Sequence, residues 1–287
     1  MFGVLLTAIS SFLEEVSCSV GKWEMLRKRE TALSLGFLNY FWTVLILFAL
    51  AFLIPKDFFA PGFPGGFVFS MASLPTFLPR VVLEILQALL GAYAVVIADR
   101  STFGFLHIIT IPLLLVADFV FSYSVGLPQI AGMSLIIASL VLVFINDGIR
   151  RKGMWLVIFS AVNAVATISL FKYDVTHFNS VEAEQGIICA VLVVFFFILS
   201  LVREKKNPLK LFAHPVFFMQ SFLMGVGGSI MGFAYFFSAP SIVAAAKRAF
   251  NVLFAMLSGH IYFNEKKFWV KFVSFVLIAV GLILLDK

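Results

Sequence analysis

Long hydrophobic runs, separated by short polar stretches, follow one another along almost the whole chain. Each run has about 20 residues, the length that a helix needs to cross the hydrocarbon core of a bilayer. Strands of membrane barrels are about half as long and alternate between apolar and polar positions. We therefore predict an all-α integral membrane protein with ten transmembrane helices, at residues 2–21, 31–54, 77–98, 101–121, 127–145, 154–171, 182–202, 213–236, 239–262 and 268–285.

The polar connections between the runs differ in charge in a regular way. Most of the 21 lysine and arginine residues follow runs 1, 3, 5, 7 and 9. The connections on the opposite side, with the chain ends, carry only Lys56, Arg80, Lys172 and Lys287. Because positively charged loops stay in the cytoplasm, this pattern predicts a multi-pass protein of the plasma (inner) membrane, with both termini outside the cytoplasm.

The composition supports a membrane protein and excludes several other classes. Of the 287 residues, 62% are hydrophobic and 13% are charged, whereas soluble domains are about half apolar and a quarter charged. The formal charge of +6 lies mainly in loops, so it indicates topology rather than a nucleic-acid partner. The two cysteines, Cys18 and Cys189, lie within hydrophobic runs and form neither a disulfide framework nor a metal motif. We expect no metal and no other cofactor.

The two halves of the chain resemble each other. The segment Gly3–Glu24 aligns without gaps on Gly153–Asp174, and each half contains five runs. Because five is odd, two such repeats must be inverted relative to each other, which is typical of secondary transporters with a site near the midplane. We predict one membrane domain of two inverted repeats, 1–148 and 149–287. Chance similarity between two helices rich in Ala, Val and Ser is the alternative.

The last two runs, Ala239–Leu285, have a helix, a short turn with Glu265, and a second helix with Gly281 near its end. The first half has a similar layout, with Pro112 inside a run. Gly126 stands at the position that corresponds to Glu265. This pattern resembles the EamA-type members of the drug/metabolite transporter superfamily. The resemblance implies ten helices in two repeats and ATP-independent transport of small metabolites, often as export. Members commonly have cytoplasmic termini, in contrast to the orientation that the loop charges predict.

The first run contains two adjacent carboxylates, Glu14 and Glu15, near its middle. A charge at the bilayer centre costs roughly 2.5–3.5 kcal/mol on insertion scales, so such residues commonly serve function. Adjacent helical residues point about 100° apart, so the two carboxylates cannot face the same partner. One carboxylate facing a cavity would exchange a proton for substrate. A structural ion pair, or a water-facing helix end, is the alternative interpretation.

Run nine contains two cations, Lys247 and Arg248, with Asn251 one turn further on. Two interpretations remain open and do not exclude each other. The cations bind an anionic substrate, or they neutralise Glu14 and Glu15. Further polar candidates for the cavity wall are Glu84, His107 and Asn163, within runs three, four and six.

These residues favour a secondary active transporter, with or without proton coupling, and a site lined by runs 1, 3, 4, 6, 8 and 9. The resemblance implies that it is an exporter. The expected partners are a small-molecule metabolite and the lipid bilayer, and both a monomer and a homodimer fit. A membrane enzyme would need a polar cluster at the interface, whereas these acids lie at depth, so we predict no enzymatic activity. The alternative function is a non-transporting scaffold or a lipid-handling protein, such as a flippase, on the same fold.

Overall fold

The fold is a bundle of α-helices. The computed structural model describes residues 2–26, 31–53, 66–97, 107–147, 154–263 and 268–285, and these residues contain no strand. The all-α class is therefore confirmed. The long helices are α1 Phe2–Leu26, α2 Ala32–Leu53, α3 Leu74–Ile97, α4 Thr110–Val120, α5 Leu127–Asp147, α6 Met154–His177, α7 Val181–Leu199, α8 Pro215–Phe237, α9 Pro240–Phe263 and α10 Phe268–Leu285.

Short helical turns of other types border several of these helices. Residues 71–73 and 107–109 form 3₁₀ turns that lead into α3 and α4. A π-helical turn at Ser200–Glu204 and a 3₁₀ helix at Pro208–Ala213 connect α7 to α8. Residues 55–65 of the connection at 55–76 lie outside the described residues, as does Glu265.

Apolar helices long enough to cross a membrane account for much of the bundle. Within the described residues, five stretches meet both criteria of length and hydropathy, namely Leu33–Leu53, Met71–Gly91, Met154–His177, Val181–Glu204 and Pro215–Phe237. Large apolar side chains also cover the outside of the bundle, as the 66% exposure of Val82 and the 76% exposure of Trp155 illustrate. Soluble monomers rarely expose apolar patches of this extent. Both observations agree with a membrane protein.

Helices that pack together frequently run in opposite directions. Ser10 donates to the carbonyl of Gly227, and Ser17 donates to the carbonyl of Gln220, so α1 is antiparallel to α8. The same reasoning applies to four other pairs, α2 with α7, α3 with α6, α4 with α9 and α5 with α10.

The turn between α8 and α9 is held by two charged side chains from other helices. Lys172 of α6 donates from Nζ to the carbonyl of Phe236 at 2.8 Å, in the last turn of α8. Asp118 of α4 accepts the backbone N–H of Ser241 at 2.9 Å, in the first turn of α9. A cation at a helix C-terminus and an anion at a helix N-terminus both stabilise the helix end. Lys172 is buried within α6 and is not a loop residue, contrary to the sequence-based assignment.

Glycines allow very close approach between some helices. A Cβ atom added at Gly225 of α8 would lie 2.3 Å from the Cβ of Trp42 and 2.8 Å from its carbonyl carbon on α2. The second contact involves backbone, so a side-chain rotation cannot relieve it. In contrast, a Cβ added at Gly91 of α3 meets no atom within 4 Å.

We expect Gly225→Ala to destabilise the protein, because one added methyl group forces α2 and α8 apart. Overpacking of this kind costs about 1–3 kcal/mol. Thermal unfolding of the purified protein in detergent measures the effect, with Gly91→Ala as the matched control. That control should be neutral or slightly stabilising, since alanine favours helix over glycine by about 1 kcal/mol. Equal melting temperatures for the two variants would contradict the close contact.

Candidate functional site

A cavity of about 270 Å³ lies inside the bundle, between helices of both halves of the chain. Residues of α1, α2, α3, α6, α7, α8 and α9 line it. Pockets for drug-sized ligands have about 300–1,000 Å³, so this cavity lies near the lower end of that range. That size suits a small metabolite.

The wall of the cavity is mainly apolar, with few charged groups. Aromatic rings and thioethers form much of it, from Tyr40, Phe171, Met224, Met231 and Tyr235. Its charged residues are Glu14, Arg80, Glu84 and Lys247. This composition, an apolar enclosure with a small number of convergent polar groups, is typical of a small-molecule site.

The first charged group is an ion pair between the two halves of the chain. Nζ of Lys247, on α9, lies 2.7 Å from Oε2 of Glu14, on α1. The side chains retain 25% and 17% exposure, respectively, and Ser10 donates to Glu14 Oε1 at 3.2 Å. Glu14 and Lys247 therefore neutralise each other while remaining open to the cavity.

The second charged group centres on Arg80 of α3, which is 1% exposed. Its Nη1 donates to Oε1 of Glu184 at 2.5 Å, and its Nη2 donates to Oε1 of Gln185 at 2.9 Å. The guanidinium carbon also lies 4.5 Å from the ring centre of Phe171, a favourable cation–π position. These contacts fix Arg80 to α6 and α7.

Further buried hydrogen bonds hold Glu184 in place behind Arg80. Glu184 has no exposed surface, and its Oε2 accepts from Nδ2 of Asn179 at 2.5 Å. Asn179 in turn accepts the backbone N–H of Ser70 at 2.8 Å and donates to Oγ of Ser73 at 3.0 Å. The network joins the start of α3 to the start of α7, so the position of Arg80 is determined from both sides.

Glu84 stands one helical turn after Arg80 and is held less tightly. Its Oε1 lies 3.5 Å from Nη2 of Arg80, beyond the usual hydrogen-bond range of about 2.7–3.2 Å. Its side chain is 20% exposed and lines the cavity. Glu84 is therefore the carboxylate of this group that is available to a ligand.

The other predicted site residues lie away from the cavity wall. His107 and Arg248 contact each other, with His107 Nδ1 and Arg248 Nη2 at 3.0 Å, and so link α4 to α9. Asn163 donates to the carbonyl of Leu83 and to Gln87 Oε1, both at 2.9 Å, and links α6 to α3. Glu15 and Asn251 are half-buried on α1 and α9. The lining residues include neither Glu15 nor Asn251.

Sequence reasoning missed Arg80, Glu184 and the contributions of α2 and α7, and it assigned a role in the wall to α4. Arg80 looked like a loop cation at the start of run three, but it lies inside a helix that begins three residues earlier than predicted. Its spacing to Glu84, four residues along a helix, is the one local signal that would have indicated an ion pair. Nothing local indicates Glu184, which is 104 residues away.

The described residues include no group of three or more His, Cys, Asp and Glu side chains placed to hold a metal ion. Cys189 is buried in the cavity wall, and Cys18 is exposed on α1.

Comparison with known proteins identifies a shared fold. No protein-family model and no curated protein sequence matches this chain. Among solved structures, one described only as "Crystal structure of protein" aligns over 96% of this chain and 98% of that chain, with a TM-score of 0.68 and 12% sequence identity. At that identity the match demonstrates the fold alone.

We expect Arg80→Gln to be strongly destabilising, because it leaves Glu184 as an uncompensated buried charge. Breaking a buried ion pair by removing one partner costs about 3–5 kcal/mol. Chemical denaturation in detergent measures the loss, and Arg203→Gln, on the exposed π-helical turn, is the neutral control. The double variant Arg80→Gln with Glu184→Gln should recover part of the lost stability. Additive effects of the two substitutions would contradict the pairing.

Proposed function

We propose that this chain is a secondary active transporter of the drug/metabolite type, which moves a small metabolite across the plasma (inner) membrane by alternating access, as an exporter. The observation that carries the proposal is the charged cavity between the two halves. Its ion pair joins Glu14 of the first half to Lys247 of the second. A site between two repeats is the usual arrangement in secondary transporters.

The pattern of helix contacts supports two inverted five-helix repeats. If each helix is equivalent to the one five places later, α2–α7, α4–α9 and α5–α10 become pairs of equivalent helices. All three pairs pack together and run antiparallel, as an axis in the membrane plane requires. Replacing each helix by its equivalent in the other half also turns the antiparallel pair α1–α8 into the antiparallel pair α6–α3.

Individual glycines support the same exchange. An added Cβ at Gly132 would lie 2.7 Å from the carbonyl oxygen of Gly281, and one at Gly281 would lie 3.0 Å from that of Gly132. Gly36 faces Phe196 across α2 and α7, and Gly186 faces Phe48 across the same two helices. Such reciprocal contacts are the signature of a two-fold relation.

Ten membrane-spanning helices, with both termini outside the cytoplasm, complete the proposal. The burial of Arg80 and Lys172 removes two cations from the loops on the side opposite to the basic ones. The excess of positive charge on the basic side is then larger than the sequence alone suggests, which supports a cytoplasmic location for that side.

The Glu14–Lys247 pair supplies a plausible means of coupling ligand to conformation. The pair connects α1 and α9, and both side chains are partly open to the cavity. A charged ligand in the cavity changes the electrostatic potential at this pair and so changes the attraction between the two helices. Ligand binding thereby acts on the contact between the two halves. Alternating access needs the two halves to move relative to each other, and that contact must change when they do.

We expect Glu14→Gln and Lys247→Met to lower transport at least about tenfold, a loss of about 1.4 kcal/mol or more in the coupling. The measurement is uptake into proteoliposomes of radiolabelled amines, amino acids and phosphorylated metabolites, with monodisperse elution as the folding criterion. Lys205→Met, on an exposed connection, is the control and should transport normally.

Two results would contradict the proposal. Normal transport by folded Glu14→Gln and Lys247→Met proteins would exclude the pair from the mechanism. Absence of transport by the unaltered chain, together with movement of fluorescent lipid between leaflets, would favour the alternative of a lipid-handling protein.

A further inference from the structure

The charges around the cavity do not all have a partner of their own. Lys247 is neutralised by Glu14 at 2.7 Å, and Arg80 is neutralised by Glu184 at 2.5 Å. One lining carboxylate remains, Glu84, whose nearest described cation is the already neutralised Arg80, at 3.5 Å. Among the described residues, the cavity wall together with Glu184 thus has two cations and three carboxylates.

Among the described residues, no second cation lies within ion-pair distance of Glu84. The other ionisable groups of the cavity wall are Glu14, Tyr40, Arg80, Cys189, Tyr235 and Lys247. Asp174, on α6 behind Arg80, is a further carboxylate, and its Oδ1 accepts from Thr76. In this partly open but mainly apolar cavity an ionised Glu84 costs free energy, and a counter-charge beside it offsets that cost.

The apolar part of the wall indicates what carries this counter-charge. Tyr40, Tyr235, Met224 and Met231 line the same cavity as the charged groups. Aromatic faces attract a desolvated organic cation, and thioethers adapt to apolar groups of varied shape. A small inorganic cation would instead prefer several oxygen ligands.

We infer that the ligand of this cavity is a small organic amine, whose protonated nitrogen binds the carboxylate of Glu84 while its apolar part lies against Tyr40, Tyr235 and the two methionines. The inference rests on the proposed function for the identity of the site. It assigns the role of cation binding to Glu84, and it leaves Glu14 as the partner of Lys247. An anionic ligand is disfavoured, because each cation of the site already has a protein carboxylate.

The test uses three probes of similar size that differ in charge, phenethylamine, phenylethanol and phenylacetate. Each is titrated calorimetrically into the full chain in detergent, for the unaltered protein and for Glu84→Gln. We expect phenethylamine to bind, phenylethanol and phenylacetate to bind at least about tenfold more weakly, and Glu84→Gln to lose that preference for the amine. Glu204→Gln, at the far end of the π-helical turn, should behave like the unaltered protein.

Other outcomes would overturn the inference. These are equal amine affinity in folded Glu84→Gln, preferential binding of phenylacetate, or no binding of phenethylamine. If Glu84→Gln fails to fold, Glu84→Asp keeps the charge and shortens the side chain, and it should retain the amine preference at reduced affinity. Calorimetry measures binding without any transport, so the two proposals can fail separately. Amine binding without transport would support the inference and refute the transporter. Transport without a preference for the amine would support the transporter and refute the inference.

Discussion

Neutralisation of buried charge is the constraint on which this structure depends. A single ion within an apolar bundle costs several kcal/mol, and only well-placed counter-ions and hydrogen bonds offset that cost. Arg80 meets the requirement through Glu184, Gln185 and the face of Phe171. Lys247 meets it through Glu14. Because each ion pair spans two helices, satisfying the charges also fixes how α3, α7, α1 and α9 are arranged.

The two ion pairs differ in a way that matters for function. Arg80 and Glu184 are almost completely buried, whereas Glu14 and Lys247 are partly open to the cavity. A buried pair with a second row of hydrogen bonds behind it, through Asn179 and Ser73, is suited to a fixed structural role. A partly open pair between the two halves is easier to rearrange. In one cavity, the Arg80–Glu184 pair thus holds helices in place, whereas the Glu14–Lys247 pair is the one suited to rearrange.

The sequence was sufficient for the fold class and for part of the site. The length of the hydrophobic runs identified the helices. The free-energy cost of a charge deep in the bilayer singled out Glu14 and Lys247, both of which line the cavity. It was not sufficient for side-chain direction. Arg248 and Glu15 are immediate neighbours of Lys247 and Glu14, but neither lines the cavity, because adjacent helical residues point in different directions. Pairings such as Arg80 with Glu184 depend on helix packing between distant parts of the chain, which no local pattern encodes.

The proposed alternating access requires that the cavity opens in turn to both faces of the membrane. Met224 lines the cavity and Val194, 57% exposed on α7, faces outward from the bundle. With both native cysteines replaced by serine, single Met224→Cys and Val194→Cys variants in sealed vesicles of each orientation can be treated with a membrane-impermeant thiol reagent. The account predicts that Met224→Cys reacts from both faces and that Val194→Cys reacts from neither. Reaction of Met224→Cys from one face alone, with or without phenethylamine, would contradict it.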